Sequence, residues 1–525
     1  MFLRGEAFGD RLAFASIAPG AVDPRVRLSY GDLVGSARRI ATGLIAAGFK
    51  RGDRLALVLR PTPDFLVGLV AAILAGGAAA PINHLFKRRE LVSYLSLIEP
   101  AAILADQSTV DLVRDAAGGL RRRPLLIMTD EDVRADTSLP LLAAGQPITP
   151  CKIGPHETAL ILHTSGTTGL PKAVVRTHAA YTAFVETWSR YVADSDRTLC
   201  FMPLYHQAAL VVGWLASFGR AVPYFHIERF TAETYWEIVR RNGITWPIGL
   251  PGPTALQVLA QPPDDRDREN GIRWFMDSSR VDVSRRIQDR FAVAVHNGYG
   301  STETTMVTMA SPPHMLSRRF DDTKLSSGTV NAPAGWAIRG FSELRVVGAD
   351  GSPAVPEQVG SLQVRGKAVF KAYFNDPERT AAAFTKDGWF NSGDSAFVDE
   401  RGCLYVLGRS KDMIRRSGEN IAPREIEAVL EELTDISEVA VVGVSDPARG
   451  QELRACVVRR PGSRLSAQEV FAHCRKELAS FKVPRYVEFW DELPKTQTLK
   501  VQKERLLEAV DPVRWTDRYE LERRS

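Results

Sequence analysis

The sequence has few cysteines, and none of them is in a pairing pattern. Its five cysteines are scattered over 525 residues without a CxxC pair, at Cys151, Cys200, Cys403, Cys456 and Cys474. This spacing argues against a zinc site and a disulfide framework, because both need grouped thiols. The pattern is typical of a reducing compartment, and we expect a cytoplasmic protein.

A long uninterrupted hydrophobic run is also missing. The longest apolar stretch, Phe65 to Ile82, contains Gly68, Gly76 and Gly77, whereas a membrane-spanning helix needs about 20 apolar residues. The stretch instead predicts a buried helix that leads into a buried strand. The first residues, MFLRGEAFGDRLAF, have no apolar segment of the kind that a secretory signal requires. The sequence therefore predicts neither a transmembrane segment nor a signal peptide.

Charge of one sign is not in large excess. The chain has 67 basic and 62 acidic residues, which are interspersed and leave a net charge of +5. A nucleic-acid-binding face needs local clusters of basic residues, so we expect no nucleic-acid partner.

A chain of 525 residues is too long for one hydrophobic core, and we expect two or more domains.

Strand and helix patterns alternate in the first part of the chain. They predict a helix over Leu33 to Gly48, a strand over Arg54 to Leu59, a helix over Phe65 to Ala75 and a strand over Ala101 to Ala105. This alternation is typical of α/β layers with largely parallel sheets. Short strands broken by Gly and Pro between Val330 and Gly366 predict a small all-β subdomain.

From about Lys411 the pattern changes to that of a small α+β unit of domain size. It predicts helices over Pro423 to Leu433 and Ala467 to Leu478. It predicts strands over Val439 to Val444, Leu453 to Arg459 and Tyr486 to Phe489.

The most specific signal is a run of Ser, Thr and Gly that follows an apolar strand pattern, Ala159 to Leu162. The run comprises Thr164, Ser165, Gly166, Thr167, Thr168, Gly169, Leu170, Pro171 and Lys172. Glycines let backbone N–H groups approach a phosphate, hydroxyls add neutral donors, and the lysine adds positive charge. The run predicts a phosphate-binding loop, although its spacing does not fit the Walker A pattern.

This run resembles the phosphate-binding motif of the adenylate-forming superfamily of acyl-CoA synthetases, adenylation domains and firefly-type luciferases. Further motifs follow in the family's order. Some sequence segments resemble those of crotonobetaine/carnitine-type and medium-chain acyl-CoA ligases. The resemblance implies an N-terminal domain, residues 1–410, of two parallel α/β subdomains and a small β-barrel-like subdomain. It implies a small mobile α+β C-terminal domain, residues 411–525, that carries the catalytic lysine.

The resemblance also implies roles in the motif NGYGSTET, which follows a strand-like run from Phe291 to Val295. Tyr299, next to Gly300, would stack on the adenine of ATP, Thr302 would contact the α-phosphate, and Glu303 would hold Mg2+. The residue types suit these roles, since a phenol ring is flat and a carboxylate is a hard oxygen ligand.

Two later motifs complete the implied nucleotide site and its hinge. Asp394, in GWFNSGD, would accept the two ribose hydroxyls, and Arg409 would also reach the ribose. Lys411 falls where the family has the hinge between its two domains. After rotation about this hinge, Gly418 would let the pantetheine arm of coenzyme A pass, while Arg415 and Arg416 would meet its phosphates.

Near the end of the chain, LPKTQTLKV places Lys500 on the family's invariant lysine. The resemblance implies that this lysine bridges the substrate carboxylate and the α-phosphate, where one ammonium screens two anions. The family usually has Gly before this lysine and this chain has Leu499. Lys495 and Lys503 are alternative lysines close by.

His206 lies where related synthetases have an acyl-pocket aromatic residue or histidine. Amino-acid-activating relatives carry an aspartate next, whereas this chain has Gln207, which disfavours substrates with an α-ammonium. We expect a fatty, aryl or other acid with an uncharged tail. The family's Gly-Gly-Ala stretch, which lines the nucleotide and acyl sites, is replaced by Asp277, Ser278, Ser279 and Arg280.

Taken as a family member, the chain is expected to be an AMP-forming acyl-CoA ligase that uses ATP, Mg2+, coenzyme A and a carboxylic acid. One alternative is an adenylation enzyme that loads a separate carrier protein. Another is a nucleotide-binding protein that has lost catalysis. The sequence leaves a monomer and a homodimer equally open.

Overall fold

The computed structural model describes residues 7–147, 149, 151–164, 172–250, 252–276, 281–309, 333–348, 350–409, 412–416, 419–421, 423–447, 449–478, 480–496, 500–509 and 511–524. Its α-helices are Tyr30–Ala46, Pro63–Leu74, Arg88–Ile98, Val110–Ala117, Leu139–Leu142, His178–Trp188, Ala216–Arg220, Ala232–Arg241, Gly252–Leu259, Val281–Phe291, Pro377–Ala383, Pro423–Leu430, Ala467–Glu477, Lys503–Glu508 and Arg518–Arg524, with a π-helix at Ala208–Leu215. None of the helices in this part of the chain combines the length and apolar character that crossing a membrane requires.

An eight-stranded sheet forms the first layer of the large domain. Its strands run in the order Ala372–Tyr373, Lys172–Thr177, Thr158–Thr164, Ala78–Pro81, Arg54–Val58, Ala102–Ala105, Leu125–Met128 and Thr137–Ser138. The strands from Thr158–Thr164 onward are parallel, and the two pairings of Lys172–Thr177 are antiparallel. The predicted parallel α/β layer is therefore confirmed.

Helices cover both faces of this sheet. Leu55 and Leu57 pack with the helices Tyr30–Ala46 and Pro63–Leu74, while Ala56 and Val58 pack with helices on the other face. Alternate residues of a strand point to opposite faces, so an apolar run such as RLALV suits a strand that is buried on both sides. The predicted order of helix, strand, helix and strand is confirmed here, and the stretch Phe65 to Ile82 is a helix followed by a strand as expected.

A five-stranded sheet forms the second layer, in the order Trp246–Pro247, Thr198–Cys200, Tyr224–Ile227, Leu12–Ile17 and Val26–Ser29. All its pairings are parallel except the last. Beside it lies the parallel pair Phe275–Met276 and Val295–His296. The strand-like run predicted over Phe291 to Val295 is mostly wrong, because Phe291 ends a helix and Ala292 has φ of 55°.

The smaller units are sheets of mainly antiparallel strands. Ser342–Val347, Gly360–Gly366, Phe390–Val398 and Leu404–Arg409 form a four-stranded antiparallel sheet, which agrees with the predicted all-β subdomain. The C-terminal sheet contains Glu419–Ile421, Ile414–Arg416, Ile436–Asp446, Gly450–Arg459, Tyr486–Trp490 and Thr516–Asp517. Its helices and strands confirm the predicted α+β unit.

Candidate active site

The two ends of the phosphate-binding run lie side by side. Thr164 ends one strand, Lys172 begins the next, and these residues are paired across the antiparallel ladder. Between them, Ser165, Gly166, Thr167, Thr168 and Gly169 lie outside the described residues, so their predicted roles stay predictions. The Lys172 ammonium lies 4.9 Å from the ring centroid of Tyr373. Burial lowers the pKa of Lys172, and the nearby Glu303 carboxylate opposes that effect.

A tight hairpin over residues 300–306 carries Thr302 and Glu303 at its turn. Gly300 is necessary for this geometry, since a Cβ there would lie 1.8 Å from the Thr305 carbonyl oxygen. Thr302 and Glu303 are half-buried on the turn, while Thr305 is buried. The backbone thus holds the predicted phosphate- and metal-binding side chains on one short, closely packed segment.

The Glu303 carboxylate accepts a hydrogen bond from the phenol of Tyr373, whose oxygen is 3.0 Å from Oε1. Because the Lys172 ammonium lies over the same ring, the strand that begins at Lys172 and the hairpin both contact Tyr373. Among the described residues, no group of three or more His, Cys, Asp and Glu could hold a metal ion. Mg2+ commonly binds one or two carboxylates together with substrate phosphates, so Glu303 fits a metal ion that arrives with a nucleotide.

Asp394 and Arg409 face each other across two neighbouring strands. Arg409 Nε lies 3.3 Å from Asp394 Oδ1, and the Tyr299 phenol donates to Asp394 Oδ2 at 2.5 Å. Burial raises the pKa of Asp394, while Arg409 and then the Tyr299 hydrogen bond oppose the shift. A carboxylate has about four acceptor positions, and those left over suit the vicinal hydroxyls of a ribose.

Lys500 lies in the same cleft, although it belongs to the C-terminal unit. Its ammonium lowers the pKa of Asp394 and that of His206. Desolvation of its ammonium and the charge of Arg409 lower the pKa of Lys500, and Asp394 opposes this, while the residue as a whole stays exposed. Leu499 lies outside the described residues. The structure thus brings a basic side chain of one domain to the predicted nucleotide-binding residues of the other.

The two alternative lysines are engaged elsewhere. Lys495 Nζ lies 2.5 Å from Glu438 Oε1, and Lys503 Nζ lies 2.6 Å from Glu427 Oε1. Both glutamates belong to the C-terminal unit. Of the three lysines, Lys500 is therefore the one whose position fits the catalytic role.

His206 follows the strand Thr198–Cys200 and lies against other aromatic rings. Its ring centroid is 6.4 Å from that of His163 and 4.7 Å from that of Tyr205. Burial, followed by the nearby His163 and Lys500, lowers the pKa of His206 to about 3. His206 is therefore neutral near pH 7 and can line an acyl site without adding charge.

Several predicted residues cannot be placed, and one prediction is wrong. Ser278, Ser279, Arg280, Lys411 and Gly418 lie outside the described residues, as does the side chain of Arg415.

The error concerns Arg416, which was expected to meet coenzyme A phosphates. Its side chain is buried and binds both carboxylate oxygens of Glu452, at 2.8 and 3.0 Å. Arg416 is therefore a structural residue of the C-terminal sheet.

Sequence reasoning missed Tyr373 and Arg176, both of which contact the Glu303 segment. Tyr373 lies on a short strand far along the chain and has no motif of its own. The sequence holds one signal for Arg176, which is its place in the β-branched run directly after Lys172, four residues from that lysine. That even spacing places both side chains on one face.

The fold combines a large and a small domain, and the residue types in this cleft suit a nucleotide with its metal ion. The family description "AMP-binding enzyme" matches residues 3–374, and "AMP-binding enzyme C-terminal domain" matches residues 425–500. The chain belongs to the AMP-binding enzyme family.

Its relatives narrow the class further. The chain is 32% identical to a sulfoacetate–CoA ligase of Cupriavidus necator, covering 91% of this chain and 92% of that one. It is 30% identical to an oxalate–CoA ligase of Arabidopsis thaliana, covering 94% and 95%. The crystal structure of ATP-bound MatB from Rhodopseudomonas palustris superposes with a TM-score of 0.84 at 28% identity, covering 97% and 98%. The chain is an AMP-forming acid–CoA ligase.

Proposed function

We propose that the chain activates a carboxylic acid without an α-ammonium as its acyl-adenylate, and then transfers the acyl group to coenzyme A in a second domain arrangement. The observation that carries the proposal is the convergence of Lys500 on Asp394 and Arg409. Asp394 also pairs with Arg409 and accepts the hydrogen bond of the Tyr299 phenol. A nucleotide held there would present its α-phosphate to a lysine from the other domain.

In the first step, a carboxylate oxygen attacks the α-phosphorus of ATP, and the bond to pyrophosphate breaks. The ammonium of Lys500 would lie between the two anions and reduce their repulsion. Mg2+, held by Glu303, would supply positive charge to the phosphates. Tyr373 fixes the Glu303 carboxylate from the side of the phosphate loop.

In the second step, the sulfur of coenzyme A attacks the acyl carbon, AMP leaves, and a thioester forms. A cleft that excludes water for the first step must open to a long thiol for the second. Rotation of the C-terminal domain about Lys411 would withdraw Lys500 and expose this path.

Gln207 supports the exclusion of α-amino acids. It is 8% exposed, and its side-chain Nε2 donates to the Ser301 carbonyl oxygen at 3.1 Å. An amide held this way offers no negative charge to a buried ammonium, which would cost several kcal/mol to leave unpaired. Fatty and aryl acids are therefore the first candidate substrates. Short acids with a second anionic group are further candidates, because two of the relatives are named for sulfoacetate and oxalate.

A pyrophosphate-release screen over a library of carboxylic acids, with and without coenzyme A, tests the proposal. We expect one class of acid to release pyrophosphate and, with coenzyme A present, to yield AMP and an acyl-CoA. An adenylation enzyme for a carrier protein would instead form the acyl-adenylate and leave coenzyme A unused. Nucleotide binding without pyrophosphate release from any acid would indicate a binding protein.

Lys411→Pro tests the two domain arrangements. Proline fixes φ near −65° and so restricts a hinge. We expect this variant to keep acyl-adenylate formation and to lose thioester formation from supplied acyl-adenylate. Equal loss of both half-reactions would contradict a hinge at this residue.

A further inference from the structure

Arg176 is completely buried and binds the backbone of the hairpin that carries Glu303. The side chain is 0% exposed. Its Nη1 donates to the Glu303 carbonyl oxygen at 2.6 Å, and its Nη2 donates to the Thr305 hydroxyl. Both acceptors are neutral oxygens of one turn. A guanidinium has a rigid fork of donors, so this pair of bonds fixes the two acceptors relative to each other.

Thr305 has a backbone conformation that a threonine rarely adopts. Its φ is 60° and it is 2% exposed. A positive φ is a clear outlier for a β-branched residue and is a strained conformation. Glycine is the usual residue where a hairpin turn needs this conformation. The surroundings must therefore hold Thr305 in place, and the Arg176 hydrogen bond is a direct contact that does so.

Arg176 also connects the hairpin to the phosphate loop. It lies on the strand Lys172–Thr177, which begins where the loop ends. Because Arg176 and Lys172 are four residues apart on a strand, they share a face. Lys172 lies near the Glu303 side chain, and Arg176 binds the Glu303 main chain. One strand thus carries a cation near the Glu303 side chain and a hydrogen-bond donor to the Glu303 main chain.

We propose that Arg176 is a positioning residue for the MgATP half of the site, which keeps the 303–305 backbone in its strained form and so aims the Glu303 carboxylate at the metal ion. The inference rests on the proposed role of Glu303. A residue that only filled space would not be expected to affect nucleotide binding. Arg176 should affect the Mg2+-dependent affinity for ATP, whereas binding of the adenosine part should not depend on it.

Calorimetric titration of the full chain with AMP, with ATP and with ATP plus Mg2+ tests the inference without knowledge of the acid. Arg176→Met should weaken MgATP binding by about 10- to 100-fold, as for other residues that orient a metal ligand. AMP affinity should change much less, since Arg176 donates hydrogen bonds to Glu303 and Thr305, whereas adenosine is assigned to Tyr299, Asp394 and Arg409. Arg176→Lys should be intermediate, because one ammonium cannot reproduce the fork.

Arg454 provides a matched control in the C-terminal domain. It is also 0% exposed, it donates to the Ala509 carbonyl oxygen at 3.3 Å, and its guanidinium lies 4.9 Å from the Trp515 ring centroid. Arg454→Met should cost stability without selective loss of MgATP affinity. An equal loss of MgATP affinity in both arginine variants would overturn the inference.

Two substitutions at Thr305 separate positioning from packing, even where Arg176→Met fails to fold. Thr305→Gly removes the strain, whereas Thr305→Val keeps both the volume and the strain and loses the hydroxyl. We expect MgATP to bind the glycine variant more tightly than the valine variant. The reverse order would show that volume matters and would overturn the inference. Wild-type protein that does not bind MgATP at all would instead contradict the proposed function.

Discussion

The phenol of Tyr299 donates a hydrogen bond of 2.5 Å to the buried carboxylate of Asp394. The other carboxylate oxygen lies 3.3 Å from Arg409. Two partners from separate parts of the chain therefore orient the group that is predicted to bind the ribose. The bond also helps to keep Asp394 ionised, because burial alone raises its pKa.

Tyr299→Phe should weaken AMP binding by about tenfold or more, because a hydrogen bond to a charged group is worth roughly 1.5–3 kcal/mol. The pKa of Asp394 should rise further when the donor is lost. Titration with AMP at several pH values measures both effects.

Tyr373→Phe is the matched control for this change. Its phenol binds Glu303 at 3.0 Å and so lies on the phosphate side of the cleft. This variant should bind AMP normally and MgATP more weakly. If Tyr299→Phe kept full AMP affinity, Asp394 would not depend on the phenol.

Lys500→Ala should reduce acyl-adenylate formation by about 100- to 1,000-fold, as removal of one group that stabilises a transition state does. Thioester formation from supplied acyl-adenylate should persist, because in the proposed second arrangement Lys500 would be outside the site. Separate assays of the two half-reactions measure the effects. Lys495→Ala and Lys503→Ala are the controls, since each of these ammoniums is engaged by a glutamate. A similar loss in either control would place the catalytic lysine elsewhere.

The candidate site residues that the sequence alone indicates are those where chemistry restricts the residue type. The phosphate run, Glu303 and Asp394 stand out because glycines, hydroxyls and acids occur in an unusual order. The fold followed from apolar periodicity, which gives each strand a face. Tyr373 could not be predicted, because its partner Glu303 is 70 residues away and no local pattern links them. The prediction for Arg416 is wrong because an arginine in a basic stretch suggests an exposed anion site. In the structure the Arg416 side chain is buried and pairs with Glu452.

The pH dependence of acyl-adenylate formation should reflect Lys500. Desolvation of its ammonium and the charge of Arg409 lower its pKa, so the ammonium loses its proton at a lower pH than a free lysine, which titrates near about 10.4. The rate should therefore fall on the alkaline side below that pH. Lys500→Arg should keep its charge and move this decline to higher pH, at a lower maximal rate.

His206 should contribute no step to this profile near its ordinary pKa, because burial lowers that pKa to about 3. A pH profile of pyrophosphate exchange for the wild type, Lys500→Arg and His206→Asn tests both statements. An acid-side decline that disappears in His206→Asn would show that the imidazole titrates during the reaction.

Arg416→Met should destabilise the C-terminal domain and leave the affinity for coenzyme A unchanged at temperatures where the protein is folded. Removing one partner of a buried ion pair costs about 3–5 kcal/mol, since it leaves the other charge unpaired. The loss should fall at the lower end, because Arg449 Nη1 lies 3.2 Å from the same carboxylate. Chemical denaturation measures the change.

Arg416→Met combined with Glu452→Leu should recover most of the stability, because both charges are then absent. If Arg416→Met raised the KM for coenzyme A and left the stability normal, Arg416 would instead have a role in binding coenzyme A.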